Sequence, residues 1–486
     1  MIPRQELLDL ATDFGLAPNV MEKDYALGWM LAAFGQHPET RDTWLFKGGT
    51  CLKKCFFETY RFSEDLDFTL LDHEHMDEAF LVKLFQEVAD WVYEQSGLVL
   101  PPDARKVDVY TNPRGGKSAQ GRMGYRGPLG RGGDAPRIKL DLTDDERVVL
   151  DPDRREVNHP YSDRPADGIK VTTYSFEEVF AEKTRALAER LRPRDLYDVV
   201  HLYRRQELAP ERAKVISTLT EKCIFKGIAV PTLQSIRESP LLAELQVSWG
   251  QMLAHQLPAL PSFESFWNEL PEVFAWLYQT KARAQLPAVP VAAREPVDIA
   301  WRPPAMATSW RSSGVSAPLE IVRFAAANRL CVALDYRNEQ GQRDVRIIEP
   351  YSLRRSSAGN LLLMAVKADT GEIRSYRADR IAGATATQQS FTPRYLIEFT
   401  DGGPLYAPAL ERERAVSRVP AWANKAPGRR TARLSTFKGP THVFRCTVCG
   451  KTFKRQSYDA TLNPHKNKTG QPCHGSFGSF VRTDYW

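Results

Sequence analysis

The stretch from Lys47 to Thr50 reads KGGT, and the stretch from Arg61 to Phe68 reads RFSEDLDF. We interpret them as a glycine turn and a short helix, followed by a strand. Successive side chains of a strand point to opposite faces, so Asp65 and Asp67 point to the same face. Two neighbouring carboxylates repel each other unless a cation lies between them, and Mg²⁺ prefers such oxygen ligands together with substrate phosphates. The stretch therefore predicts a site for a metal ion and a phosphate.

Gly48 and Gly49 are the residues that we expect to bind the phosphate. A glycine turn leaves backbone N–H groups free, and a helix that begins there favours anions at its N-terminus. Lys47 adds a positive charge, and Thr50 adds a hydroxyl and an N–H group, although threonine is also an ordinary helix N-cap. We predict that these four residues bind a nucleoside triphosphate (NTP) and that the site performs metal-dependent nucleotidyl transfer.

A third carboxylate is expected from the strand between Arg137 and Thr143, which reads RIKLDLT. Apolar and polar residues alternate there, which places Asp141 on the face away from the core. Two metal ions held by three carboxylates can polarise the α-phosphate, neutralise the departing pyrophosphate and activate the attacking hydroxyl. We predict that Asp65, Asp67 and Asp141 are catalytic and bind Mg²⁺. For each of them taken singly, an exposed strand or turn aspartate is the alternative.

Length, composition and cysteine usage indicate a multidomain protein of the cytoplasm. A chain of 486 residues predicts two to four domains. It contains no run of about 18 apolar residues, so we expect neither a membrane span nor a membrane partner. The opening MIPRQELLDL lacks the apolar core of a secretion signal. Three of the seven cysteines fall in the last 41 residues, which favours a local metal site over a disulfide framework.

Positive charge is concentrated at the C-terminal end of the chain. Residues 411–486 contain 15 Lys/Arg and 4 Asp/Glu, a net charge of +11, whereas the whole chain has a formal net charge of +6. Because neutralisation of phosphates supplies most non-specific affinity for nucleic acids, this basic tail predicts a nucleic-acid contact. A solvated extension is the alternative.

Changes of pattern along the chain predict an α+β protein of several domains. Helical periodicity dominates up to residue 284, a Pro/Ala/Ser-rich stretch follows, and short strands begin near residue 318. We predict a transferase core at 1–205, a helical extension of it at 206–284, a linker at 285–317, a small β domain at 318–400, a basic linker at 401–440 and a zinc-binding module at 441–486.

The predicted zinc-binding module contains a cluster of metal ligands. Cys446, Cys449, His465 and Cys473 have spacings that suit a tetrahedral Cys₃His zinc site, and His474 is the alternative fourth ligand. A zinc ion with four protein ligands has no open position, so we expect a structural site. Basic residues surround the cluster and predict a nucleic-acid surface formed by Lys451, Lys454 and Arg455.

The opening stretch resembles the signature of the polymerase-β-like nucleotidyltransferases. Together with EKDY at 22–25, AEK at 181–183 and RDLYD at 194–198, it is similar to the AbiEii/AbiGii toxin family. That resemblance implies a polymerase-β-like core, Mg²⁺, an NTP substrate and nucleotide transfer to RNA, with the tRNA 3′ end as the expected acceptor. It also implies a role in phage defence by abortive infection or in toxin–antitoxin growth control, with a possible antitoxin protein as partner.

The resemblance further implies functional roles for Lys183 and for the segment Arg194–Asp198. Lys183 would hold the triphosphate as a point charge, although its spacing also suits a surface ion pair with a glutamate of its own helix. Asp195 and Asp198 lie on one helical face. One of them would cap the helix or pair with Arg194, and the other would act as a base or position the metal. We assign catalytic roles to Lys183, Asp195 and Asp198, and the choice between the two aspartates stays open.

Residues 318–400 resemble a WYL domain, a small SH3-like β-barrel. The matching stretches are LDYR at 334–337, RIIEPYSL at 346–353 and RSYRADRI at 374–381, while three leucines at 361–363 stand where Trp-Tyr-Leu is typical. A basic and aromatic surface that could bind nucleic acid is expected from Tyr336, Arg346, Arg374, Arg377 and Arg380. Alternatively, these arginines cover strand edges and pair with Asp335, Glu349 and Asp379.

Two functions compete on these observations. The first is a Mg²⁺-dependent nucleotidyltransferase toxin that acts on RNA. The second is a nucleic-acid-binding regulator whose transferase domain is inactive. We expect the acceptor to be selected by the arginine-rich segment 112–137 and by the basic tail, whereas nothing in the sequence specifies which NTP is used.

Overall fold

The computed structural model describes residues 1–57, 61–112, 115–130, 132–205, 210–279, 286–291, 296–298, 316–399, 441–455, 461–467 and 469–484. The chain divides into two compact units, Met1–Glu413 and Arg414–Trp486. The predicted basic linker at 401–440 lies outside the described residues, as does most of the predicted linker at 285–317.

The elements are numbered in chain order. The helices are α1 Arg4–Phe14, α2 Pro18–Gln36, α3 Gly48–Cys51, α4 Glu78–Ser96, α5 Phe176–Arg190, α6 Pro193–Arg204, α7 Arg212–Lys226, α8 Leu233–Arg237, α9 Leu242–Leu253, α10 Phe263–Trp267, α11 Leu270–Leu277 and α12 Ser316–Ala327. The strands are β1 Trp44–Lys47, β2 Asp65–Leu70, β3 Arg105–Thr111, β4 Lys117–Gly124, β5 Arg137–Thr143, β6 Asp153–Glu156, β7 Lys170–Thr173, β8 Val297–Asp298, β9 Leu330–Arg337, β10 Arg343–Ser356, β11 Leu361–Lys367, β12 Ile373–Arg377, β13 Ile381–Ser390, β14 Thr441–Cys446, β15 Thr452–Arg455, β16 His465–Lys466, β17 Pro472–Cys473 and β18 Gly478–Asp484.

A seven-stranded mixed sheet with the order β3-β4-β5-β2-β1-β7-β6 forms the centre of the first unit. β2 pairs with β1 in antiparallel fashion and with β5 in parallel fashion. Leu66 and Phe68 of β2 and Leu140 and Leu142 of β5 are buried in the core. Because strand side chains alternate between faces, this burial leaves the intervening polar residues on the opposite face.

Helices α5 and α6 carry the other candidate residues and follow the predicted boundaries. The side chain of Ser175 accepts a hydrogen bond from the backbone N–H of Glu178 and caps α5. Helix α5 ends before Leu191, which has a φ of 43°. Pro193 begins α6, since proline fits the first turn of a helix. α5 packs against both α6 and α7.

A β module of antiparallel strands follows in the same unit. Its order is β12-β11-β10-β9-β13, with β8 paired to β10. The sequence pattern predicts β9 to β12, whereas β13 and helix α12 were not predicted. α12 packs against β9, β10 and β13 on one side and against α1 on the other, so it joins this module to the transferase part. The predicted α+β fold class is confirmed.

The second unit contains two small antiparallel sheets, β15-β14-β18 and β16-β17. Val443, Phe444 and Leu462 are buried there. Across the described parts of both units, no helix is long and apolar enough to cross a membrane.

Candidate active site

The three predicted carboxylates lie on neighbouring strands of the central sheet. The register of β2 and β5 places Asp67 directly beside Asp141, and Asp65 beside Lys139. Residues in register share a face of the sheet, and Asp65 shares that face with Asp67 by alternation. The structure therefore brings together the three aspartates that the sequence pattern singles out.

The negative charges of this cluster are not fully offset by nearby cations. Burial raises the pKa of Asp67 to about 6, with Asp141 adding to the effect and Lys183 and Lys47 opposing it. Burial also raises the pKa of Asp65. Asp141, in contrast, accepts a hydrogen bond of 2.6 Å from the Lys139 ammonium. A partly buried carboxylate whose charge is poorly compensated by the protein is the environment that a divalent cation relieves.

Gly48 and Gly49 have other side chains packed so closely against their backbone that a Cβ atom would not fit, and Gly48 also has the backbone conformation of a turn. Gly48 has a φ of 80°, and a Cβ there would lie 2.0 Å from Oδ2 of Asp67. A Cβ at Gly49 would lie 2.6 Å from Nη2 of Arg61. Thr50 is buried, and its hydroxyl donates to the carbonyl oxygen of Asp65 at 2.5 Å. That hydroxyl fixes the start of β2, and nucleotide binding by Thr50 stays a prediction.

Lys183 reaches the cluster from α5 and is held by Asp198 of α6. Its Nζ lies 2.7 Å from Oδ2 of Asp198, and Arg61 donates to the same carboxylate from Nε at 2.8 Å and from Nη2 at 3.0 Å. Burial raises the pKa of Asp198, but Arg61 and Lys183 outweigh it and hold the pKa below its usual range. The alternative of a surface ion pair for Lys183 is wrong, because all three side chains are buried.

Asp195 and Asp198 have different partners. Nε and Nη2 of Arg190 donate to the two carboxylate oxygens of Asp195, each at 2.7 Å, and this pair links the end of α5 to the start of α6. Asp198 is therefore the aspartate that contacts another candidate residue. The expected pairing with Arg194 is absent from the described contacts of both aspartates. A catalytic role for Asp195 stays a prediction.

Lys47, which is in register with Asp67 on the neighbouring strand β1, lies in a buried network of charges. Its Nζ is 3.6 Å from Oε1 of Glu182 and 3.9 Å from Oε1 of Glu146. Two lysines of α7 complete the network, with Lys226 at 2.9 Å from Glu146 and Lys222 at 3.8 Å from Glu182. These contacts tie α5 and α7 to β1 and to the loop after β5. Nucleotide binding by Lys47 stays a prediction.

The arginine-rich segment 112–137 forms the turn after β3, strand β4 and a loop that leads into β5; its residues 113–114 and 131 are outside the described part of the chain. The carboxylate of Glu22 anchors the loop, since it accepts a hydrogen bond of 2.7 Å from the backbone N–H of Leu129. A Cβ at Gly127 would lie 2.7 Å from the same carboxylate. The EKDY motif therefore positions a segment for which we predict acceptor selection.

A groove of about 900 Å³ opens on the β module, and it is lined by the five residues predicted to bind nucleic acid there: Tyr336, Arg346, Arg374, Arg377 and Arg380. The guanidinium of Arg346 lies 5.4 Å from the ring centroid of Tyr336 and 5.8 Å from that of Tyr376. Flat cationic and aromatic groups in one groove suit the stacking of a nucleobase.

Each arginine of this groove also has an acidic partner, at the edges of the groove or beside it: Asp344 for Arg346, Glu372 for Arg374, Asp379 for Arg377 and Glu339 for Arg380. The expected pair with Asp379 is confirmed. The expected pairs with Asp335 and Glu349 are wrong, since these acids pair with Arg343 and Arg394. Partly exposed pairs contribute only about 0–1 kcal/mol, so a ligand can compete for these guanidinium groups.

The β module contacts the helix that carries Asp198. The hydroxyl of Tyr197 donates to Oδ1 of Asn328 at 2.7 Å, and both residues are fully buried. Next to this contact, Glu269 accepts hydrogen bonds from Arg204 of α6 and lies 2.7 Å from Nη1 of Arg329. Asn328 and Arg329 directly precede β9, whose far end contributes Tyr336 to the groove.

In the second unit, the four predicted metal ligands converge. The ligand atoms of Cys446, Cys449, His465 and Cys473 all lie within 4.8 Å of one another, with 3.8 Å between the sulfurs of Cys446 and Cys473 and 3.3 Å between Cys449 Sγ and His465 Nε2. Tetrahedral zinc with bonds of about 2.3 Å to sulfur and about 2.0 Å to nitrogen separates its ligand atoms by about 3.5–3.8 Å. The cluster includes His465, whereas His474 is exposed.

The neighbourhood of these ligands also suits a metal. Nδ1 of His465 lies 3.0 Å from the carbonyl oxygen of Asn463, an arrangement that leaves Nε2 available as the ligand. A Cβ at Gly475 would lie 2.4 Å from the Cys446 sulfur. Lys451 and Lys454 are exposed nearby, Arg455 pairs with His442 between β15 and β14, and the Arg455 side chain is outside what the structure describes.

The family of the chain follows from comparison with known proteins. The model of the family described as "Nucleotidyl transferase AbiEii toxin, Type IV TA system" matches residues 29–279, which is more than half of the chain. The chain belongs to the AbiEii family of nucleotidyltransferase toxins. A WYL domain matches residues 318–386. Both resemblances seen in the sequence are thereby confirmed, and the AbiEii assignment makes this chain a nucleotidyltransferase of a toxin–antitoxin family.

Two solved structures resemble parts of this AbiEii protein. MenT4, a nucleotidyltransferase toxin from Mycobacterium tuberculosis H37Rv, is 16% identical with a TM-score of 0.40, and the match covers 58% of this chain and 91% of MenT4. The proteasome accessory factor B/C (PafBC) of Arthrobacter aurescens is 18% identical with a TM-score of 0.16, and the match covers 34% of this chain and 19% of that one. No curated protein matches the chain significantly.

The structure adds residues that the sequence pattern did not assign. Arg61 belongs to the RFSEDLDF stretch that marks the site, so the sequence already indicated a functional position. Its partner could not be predicted, because the bond to Asp198 joins residues 137 positions apart. Lys139 could have been found from its place two residues before Asp141. Glu146 follows β5 in an irregular segment and gave no signal, because only the fold brings α7 against that segment.

Proposed function

We propose that this AbiEii protein is a Mg²⁺-dependent nucleotidyltransferase toxin that transfers nucleotides from NTP to RNA, with the tRNA 3′ end as acceptor. The observation that carries the proposal is the in-register cluster of Asp65, Asp67 and Asp141, in which burial raises the pKa of Asp67 to about 6. A cluster of carboxylates with such incomplete compensation destabilises the metal-free fold, and a divalent cation relieves that cost. The biological setting that we propose is phage defence or growth control.

The carboxylates and the lysine of the site have different roles in the proposed reaction. Asp65, Asp67 and Asp141 would hold Mg²⁺, which when bound polarises the α-phosphate and neutralises the leaving group. The acceptor hydroxyl oxygen forms a bond to the α-phosphorus, the bond to the bridging oxygen breaks and pyrophosphate leaves, while the hydroxyl proton passes to a carboxylate of the cluster. Asp198 positions the Lys183 ammonium, to which it is bonded at 2.7 Å.

Labelling of RNA tests the proposal directly. Purified protein, Mg²⁺ and labelled NTPs are expected to label RNA, and sequencing the 3′ ends of cellular RNA after expression identifies the acceptor. The double variant Asp65→Ala with Asp67→Ala should abolish labelling. Transfer that persists in this variant refutes the site, and label found on protein instead of RNA refutes the acceptor class.

A second candidate function is supported by the groove of the β module. A nucleic-acid-binding regulator with an inactive transferase would use Arg346 and the neighbouring rings of Tyr336 and Tyr376 to hold its ligand. Calorimetry of NTP binding in the presence of Mg²⁺ separates the two functions. A nucleotidyltransferase should bind NTP, whereas a regulator with an inactive transferase domain should not. Arg346→Ala should weaken binding of a labelled oligonucleotide about tenfold, whereas Arg343→Ala, which removes an arginine paired with Asp335, should not.

We also propose that the β module regulates the transferase. The support is the buried hydrogen bond between Tyr197 and Asn328, since Tyr197 precedes Asp198 on α6 and Asn328 lies two residues before β9 of the groove. A ligand that shifts β9 would change the position of α6 through this contact. No change in transfer rate upon adding the groove ligand would count against this control.

The remaining assignments follow the same division of the chain. We propose a transferase core and helical extension up to residue 284, a β module at 318–400 and a module at 441–486 with structural Zn²⁺. The zinc assignment rests on the fit of three sulfurs and one imidazole nitrogen to tetrahedral geometry. Lys451 and Lys454 are proposed to contact nucleic acid, and the protein is proposed to act in the cytoplasm.

A further inference from the structure

Arg194, at the start of α6, has no partner for its charge among the residues that the structure describes. It makes no ion pair with any carboxylate that the structure describes, and its Nε is buried without a hydrogen bond. The side chain as a whole is partly buried and lies within electrostatic reach of Asp65, a member of the carboxylate cluster. A buried N–H donor of a guanidinium costs free energy when it is left unpaired. An anion that accepted a hydrogen bond from this Nε would remove that cost.

The other cations around the cluster have their partners. Arg61 and Lys183 are bonded to Asp198, Arg190 to Asp195, and Lys139 to Asp141. Lys23 likewise lies 2.7 Å from Glu64. Arg194 therefore differs from these five described cations, each of which is bonded to a carboxylate.

The carboxylates within electrostatic reach of Arg194 are already engaged. Burial and the like charge of Arg61 lower the pKa of Arg194, while Asp65, Asp198 and Glu64 oppose that shift. Asp198 lies one helical turn away on the same face, but both of its oxygens are bonded to Arg61 and Lys183. Asp65 belongs to the proposed metal site. The protein thus leaves the Arg194 donors for a group that it does not itself contain.

We propose that Arg194 binds the β- and γ-phosphates of the NTP, the part that departs as pyrophosphate. The inference rests on the proposed nucleotidyl transfer, because the NTP must lie against Asp65 and Asp67 for its α-phosphate to react. Arginine suits this task, since its planar fork donates two parallel hydrogen bonds to phosphate oxygens. A backbone phosphate of the acceptor RNA offers the same chemistry, and the experiment distinguishes the two.

The test measures equilibrium binding of an NTP, of the corresponding monophosphate and, in a separate titration, of an RNA to the full-length protein with Mg²⁺. We expect Arg194→Gln to weaken NTP binding about tenfold to hundredfold, as for a lost hydrogen bond between charged groups, and to leave monophosphate binding nearly unchanged. Arg194→Lys keeps the charge without the fork and should restore part of the affinity. Arg192→Gln is the matched control, because Arg192 is exposed two residues away.

The outcomes separate the inference from the proposed function. If the wild-type protein binds NTP and Arg194→Gln binds it within about twofold of wild type, less than a single net hydrogen bond, the assignment of Arg194 is overturned and the transferase stands. If Arg194→Gln changes only the affinity for RNA, Arg194 serves the acceptor and the NTP assignment is overturned. If the wild-type protein binds no NTP in the presence of Mg²⁺, both are overturned.

Discussion

Replacing Asp67 by asparagine should stabilise the metal-free protein while abolishing transfer. Burial and the neighbouring Asp141 raise the pKa of Asp67 from its usual 3.8 to about 6. A difference of about 2 pKa units corresponds to about 3 kcal/mol, which is the upper limit of the cost of ionising this carboxyl in the folded protein. Asparagine keeps the shape and removes the charge, so we expect a gain of about 1–3 kcal/mol at neutral pH.

The sign of the pH dependence follows from the raised pKa. The contribution of Asp67 to stability is fully present below the unfolded pKa of 3.8 and is lost as the pH rises through about 6. The stability difference between Asp67→Asn and wild type should therefore be small near pH 4 and should grow up to about pH 7. In the presence of Mg²⁺ the wild-type protein should be more stable than Asp67→Asn, because Mg²⁺ binds the folded wild-type protein and stabilises it by mass action.

Thermal unfolding of the metal-free proteins across this pH range checks the prediction. A gain of about 1–3 kcal/mol corresponds to about 1–4 °C in the unfolding midpoint of the unit Met1–Glu413. Asp141→Asn is the matched control: it relieves the repulsion on Asp67 but loses the bond to Lys139 at 2.6 Å, so it should give a smaller gain than Asp67→Asn. A lower midpoint for Asp67→Asn at neutral pH, or equal stabilisation of this variant and wild type by Mg²⁺, would refute the reasoning.

Three further predictions concern other parts of the chain. Gly48→Ala places a Cβ 2.0 Å from the Asp67 carboxylate and should weaken Mg²⁺-dependent NTP binding in calorimetry at least about tenfold; Gly227→Ala, with a similar φ of 67° and open space, should not. Elemental analysis is expected to find about one zinc ion per wild-type chain and less in Cys473→Ser, and unchanged zinc content in this variant would exclude Cys473 as a ligand. Tyr197→Phe removes a buried hydroxyl bonded at 2.7 Å; it should cost about 1–3 kcal/mol in urea unfolding and reduce any effect of a groove ligand on transfer.

Local rules account for the features that the sequence pattern predicted. The period of two in a strand was enough to place Asp65 and Asp67 on one face and to bury the apolar residues of β5. The proline at position 193 and the serine at position 175 marked helix starts through their own hydrogen-bonding chemistry. Helix α12 and strand β13 were missed, since short apolar segments do not reveal whether they form helix or strand before their packing partners are known.

What the sequence by itself determined is the chemistry available: a glycine pair before an Asp-x-Asp strand, a third strand aspartate, and three cysteines with a histidine at zinc spacing. These features depend on covalent geometry and on short separations along the chain. The tertiary structure alone decided which charges meet: Asp198 and not Asp195 holds Lys183, and Arg61 reaches across 137 positions to do the same. Ion pairs form wherever packing places two charges, and spacing along the chain does not encode that placement. For the same reason, only the fold reveals that Arg194 lies within electrostatic reach of Asp65 while its buried Nε has no hydrogen-bond partner among the described residues.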